Sequence, residues 1–144
     1  MLKDKGFFDS RWNKSASGFV NDYQLQKDGL VVFDRNSGLM WQQSGSTKSM
    51  TFENAKKYIE KLNREKFAGY SDWRLPTLEE AMSLMEPEKK NSAFYIDPLF
   101  DSTQVWIRTA DRYSASLAWC VDFYGGGCLN PHVDYTHFAR AVRS

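Results

Sequence analysis

The chain has 144 residues, with 19 Lys and Arg against 18 Asp and Glu, a formal net charge of +1. That length fits one domain, and the balanced charge gives no electrostatic case for nucleic-acid or anionic-membrane binding. No apolar run approaches the roughly 20 residues that a bilayer span needs, and the opening residues lack the apolar core of a signal peptide, so the expectation is a cytoplasmic chain or a mature extracytoplasmic piece.

Residues 1–18 are polar and aromatic without a clear period and read as an N-terminal arm, docked by Phe7, Phe8 and Trp12. The remainder, 19–144, reads as a domain. "GLVVFDRNSGLMWQ" is a hairpin: Leu30 to Phe33 and Leu39 to Trp41 are apolar runs, and "DRNSG" between them supplies residues that tolerate tight-turn dihedrals. "TFENAKKYIEKLNRE" is a helix with Thr51 as its N-cap and Met50 placed to staple onto Ala55. Phe52, Ala55, Ile59 and Leu62 form its apolar stripe, and Gly69 is the expected stop. "PTLEEAMSLME" is a second helix. Thr77 and Glu80 have capping-box spacing, Leu78, Ala81, Met82 and Met85 make a stripe, and Pro87 ends it. "QVWIRT", "SLAWCVDFY" and "HFARAVRS" read as strands, with "GGG" at Gly125 to Gly127 breaking the second. Strands, two helices, then strands predict an α+β domain with a segregated antiparallel sheet.

In "GYSDWRLPT", Pro76 pushes Leu75 out of helical dihedrals beside the Thr77 cap. In an extended segment Trp73 and Leu75 then face a core, and Arg74 faces the other way, where it can fork onto a carboxylate or onto carbonyls. We read Trp73 as a buried lock for the helix start rather than a stacking site, and assign Trp41 and Trp119 the same structural role.

"GLMWQ" and "DWRLPT", with the late Trp strand "LAWCVDFYGG" and the terminal "RAVRS", together resemble the C-terminal domain of the Legionella collagen-like adhesin, over roughly Phe19 to Ser144. The resemblance implies a C-type-lectin-like fold: small antiparallel sheets, two helices and a long irregular loop region carrying the ligand surface. It also implies an adhesin-type, non-catalytic binding module at a bacterial cell surface. The expected partner is a glycan, sulfated if the arginines take part, or a surface protein. A homotrimeric tip of a longer adhesin is a further expectation.

Loops on a rigid scaffold concentrate binding residues, and Tyr, Asn, Asp and His suit recognition. The expected ligand residues are Arg108, Arg112, Tyr113, Asp122, Tyr124, Asn130, His132, Asp134 and Tyr135. His132, Asp134 and His137 lack any fixed metal-site spacing, and the sugar-site signatures of calcium lectins are missing, so no metal and no other cofactor is expected. Cys120 and Cys128 read first as a disulfide pinning the glycine loop and second as two inert thiols. As catalysts they would make the chain a thiol-dependent oxidase of the formylglycine-generating type, the competing reading.

Overall fold

Within residues 6–144, which the computed structural model describes, the α+β order is β1 (Tyr23–Gln26), β2 (Val31–Asp34), β3 (Leu39–Gln42), α1 (Phe52–Arg64), α2 (Leu78–Met82), β4 (Trp106–Arg112), β5 (Ala118–Asp122), β6 (Gly127–Leu129) and β7 (Val142–Arg143). The strands form two antiparallel sheets, β1-β2-β3-β7 and β4-β5-β6. The predicted hairpin is β2 and β3, with Val32 opposite Trp41, and the chain end returns to pair Val142 with Trp41.

Both faces of β2 and β3 are covered, which explains why their sequences are continuously apolar rather than alternating. Val31 and Met40 lie in one cluster with Ala55, Ile59 and Leu62 of α1 and with Trp73 and Leu75. Val32, Leu39 and Trp41 lie in a second, with Met82, Leu84 and Met85 around α2, with Ile107 and Val121 of the other sheet and with Phe123 just after β5. The predicted stripe of α1 is its buried set, and Thr51 caps it by accepting the Asn54 N–H at 3.3 Å. Trp41 and Trp73 are buried as expected, whereas Trp119 is only partly buried and sits edge-on to Tyr113.

Two helix ends and two strands differ from expectation. The helix α1 ends at Arg64, because Lys66 and Ala68 turn left-handed before Gly69 does. The helix α2 stops at Met82: the Ser83 hydroxyl bonds back to the Glu80 carbonyl at 2.5 Å, and the N–H groups of Leu84 and Met85 reach only three residues back. Strands β1 and β6 were not foreseen, since Gln24 and Leu25 are exposed and β6 hides in the glycine segment.

Residues 1–5 of the arm lie outside the described residues. Phe7 and Phe8 are buried in the second cluster, whereas Trp12 is 73% exposed. Asp9 is buried as well, its carboxylate accepting the N–H groups of Arg11, Trp12 and Cys128 at 2.9, 3.0 and 3.2 Å. That set fastens the arm to β6.

The two most distinctive sequence segments fold onto each other. Arg74 and Val142 exchange both backbone hydrogen bonds at 2.9 Å. The Arg74 guanidinium forks onto Glu80 at 2.6 and 2.8 Å, while Glu80 and Thr77 complete the predicted capping box. Arg143 forks onto Asp72 at 2.6 and 3.1 Å and lies over the Tyr70 ring. Trp73 is 2% exposed, and its indole N–H donates to the Phe67 carbonyl at 3.0 Å. "GYSDWRLPT" is therefore a joint between α1, α2 and the chain end.

Candidate functional site

The segment after β6 returns alongside β4. Arg108 N–H donates to the Phe138 carbonyl and Phe138 N–H to the Trp106 carbonyl, both at 2.9 Å. This pairing sets His137 flat against Trp106, with ring centroids 4.9 Å apart and planes 12° from parallel. Around that stack lies an open cleft of about 340 Å³, lined by Trp106, Leu129, Asn130, Pro131, Tyr135 and His137. Tyr135 stands at its edge, 63% exposed, and His132 is 6.0 Å from its ring.

Burial, aided by the neighbouring Arg108 cation, lowers the His137 pKa to about 4, so the imidazole is neutral at physiological pH. Its Nε2 is buried and makes no hydrogen bond. The cleft thus offers aromatic surface and the Asn130 amide, with the neutral His137 ring packed into its wall against Trp106. Apolar faces flanked by a few polar groups suit a ring-shaped ligand with one apolar face.

The nine expected ligand residues do not form one site. Asn130 and Tyr135 line the cleft, and His132 and Asp134 border it, with Asp134 N–H donating to His132 Nδ1 at 3.1 Å. Arg108 requires correction. It is fully buried, and its guanidinium donates to the carbonyls of Met50, Val133 and Tyr135, so it braces the loop from beneath. Asp122 is likewise buried, and its carboxylate accepts the Tyr124 N–H at 2.9 Å to shape the β5–β6 turn. Tyr124 is exposed but stands against Phe94, outside the cleft lining. Arg112 and Tyr113 sit at the far end of β4, Arg112 over the Phe52 ring at 4.6 Å.

Sequence reasoning missed Trp106 as a cleft-lining residue and read His137 only as a metal candidate. The alternation of "QVWIRT" placed Trp106 on a strand, but its exposure depends on where residues 137–138 return, which no local pattern encodes. Among the described residues, no three His, Cys, Asp or Glu side chains converge as a metal-holding set.

The expected disulfide is also corrected: both cysteines are free and buried. Val121, not Cys120, pairs with Cys128, so the two thiols point to opposite faces of the sheet. Burial raises both to about 11, and the Asp9 carboxylate adds to the effect at Cys128.

Among the described residues no helix is long and apolar enough to cross a membrane. A family model described as the Lcl C-terminal domain matches residues 30–143, while no curated protein matches the chain.

Proposed function

The chain belongs to the Lcl C-terminal domain family, and from that premise we propose that it is a non-catalytic, adhesin-type module that binds a glycan through the Trp106–Tyr135 cleft. The observation that carries this reading is the cleft itself: aromatic walls, with His137 stacked on Trp106, and an amide on a hydrogen-bonded scaffold. A sugar ring stacks its C–H face on such walls and hydrogen-bonds at its edges.

The burial of Arg108 removes one of the two cations on which sulfate recognition would rest, and Arg112 lies outside the cleft lining. We therefore favour an uncharged sugar face over a sulfate as the recognised feature. The thiol-oxidase alternative loses support because a reactive thiol needs exposure and a low pKa, and neither cysteine has them. A surface location accords with the family. The testing experiment is a glycan array probed at low and at high salt. Hits that survive high salt support the reading, and hits confined to sulfated glycans that vanish with salt refute it.

A further inference from the structure

A larger groove, about 670 Å³, lies apart from the aromatic cleft, and three elements build it. Phe52, Lys56 and Ile59, at helical spacing on α1, form one wall. The extended Trp73–Leu75 segment and the start of α2 form the floor. Ala110 and Arg112, two apart on β4, form the opposite wall. Half of the ten lining residues are aromatic or aliphatic, and the other half include three cations, Lys56, Arg74 and Arg112, against one carboxylate, Glu80.

The cations are not equivalent. Arg74 is neutralised by its fork onto Glu80. Lys56 reaches Glu53 at 3.3 Å in a largely exposed pair of little strength. Arg112 has no carboxylate partner among the described residues; its Nη1 donates to the Ala115 carbonyl at 3.0 Å, and its guanidinium lies over Phe52. The nearby Asp111 carboxylate is occupied by the Leu78 N–H at 2.6 Å. A guanidinium packed over an aromatic ring, 4.6 Å from its centroid here, still has donors free to pair with a carboxylate.

We infer that this groove is a second binding site, and that it takes an extended acidic peptide whose apolar side chain seats on Phe52, Ile59 and Leu75 while a flanking carboxylate engages Arg112. The apolar seat formed by Phe52, Ile59 and Leu75 disfavours a wholly polar polyanion. The groove is open along its length, so a free amphiphile would leave much of its body in water. An extended chain buries only alternate side chains and fits such a trough.

The test uses the intact chain and a fluorescein-labelled octapeptide alternating Glu and Leu, read by fluorescence polarisation and by amide shift mapping. Replacing its Glu by Gln, or its Leu by Ser, should each weaken binding on the order of tenfold, the scale of one charge-assisted pair or one seated side chain. Arg112→Gln and Ala110→Glu should do the same without moving the melting temperature, since both positions are exposed. Tyr135→Ala should leave peptide binding unchanged, because that residue belongs to the other site. Equal affinity for the Gln peptide, indifference to Arg112→Gln, or shifts confined to the aromatic cleft would overturn the inference. So would stronger perturbation of the same groove residues by a sulfated oligosaccharide.

Discussion

Replacing Trp73 by alanine should unfold this protein more readily than any surface change, and the size of the effect follows from its surroundings. The side chain is 2% exposed, with Phe67 and Tyr70 edge-on at 5.6 and 6.3 Å and the indole N–H bound to the Phe67 carbonyl at 3.0 Å. Its backbone is clamped by Asn63, whose amide group both accepts from Trp73 N–H and donates to Trp73 carbonyl, at 2.7 and 2.9 Å. Truncating a buried aromatic of this kind costs about 3–5 kcal/mol. For a domain of this size that corresponds to a fall in melting temperature of roughly 10–20 °C. Trp73→Phe keeps most of the ring area and loses the indole donor, so about 1–2 kcal/mol is expected. Urea denaturation of the two variants measures both losses, and an unchanged slope confirms that the unfolding unit is the same. A loss below about 1.5 kcal/mol for Trp73→Ala would refute the reasoning, because no buried joint yields so little on losing its central aromatic.

Three further outcomes follow from named contacts. A Cβ on Gly45 would overlap the Ala139 carbonyl oxygen, so Gly45→Ala should destabilise by about 1–3 kcal/mol in the same assay, and a neutral result would contradict that close approach. Ellman's reagent should label neither cysteine in the native protein and both after unfolding without reductant; rapid native labelling, or a bridge seen by mass spectrometry, would contradict the buried, separated thiols. Burial and Arg108 lower the His137 pKa to about 4 in the folded chain, against about 6.5 when unfolded. The unfolded chain binds a proton between those values that the native chain does not. The His137 contribution is therefore complete above about pH 6.5 and declines as the pH falls toward 4, by no more than about 1.4 kcal/mol per unit. Between about pH 6.5 and 5, above the carboxylate range, His137→Asn should flatten the stability profile, and identical slopes would show that the histidine is not the group responsible.

Much of the scaffold is written locally. Thr51 and Thr77 each cap a helix because a hydroxyl three residues before an amide N–H needs no distant partner, and the stripe of α1 declares its buried face through spacing alone. The role of Trp73 could be read in the same way, from Pro76 fixing the extended segment before the cap. What could not be read depends on tertiary return paths. Arg108 looks from its sequence like any strand arginine; it is buried because three carbonyls from residues 50, 133 and 135 converge on it. Cys120 and Cys128 are close along the chain, yet the one-residue offset in the β5–β6 register sends them to opposite faces. Trp106 comes to line the cleft only because residues 137–138 come back beside it.

Buried Trp41 and Trp73 hold the frame, and the proposed recognition surface is the Trp106–Tyr135 cleft. Tyr135 and Tyr124 are almost equally exposed, at 63% and 61%, but only Tyr135 lines the cleft. The decisive measurement is a glycan array run on Tyr135→Ala and Tyr124→Ala beside the unaltered chain, with melting temperatures taken in parallel. The cleft predicts that Tyr135→Ala loses the hits, Tyr124→Ala keeps them, and both melt with the parent. Hits that survive Tyr135→Ala, or that disappear with Tyr124→Ala, would place recognition elsewhere on the molecule.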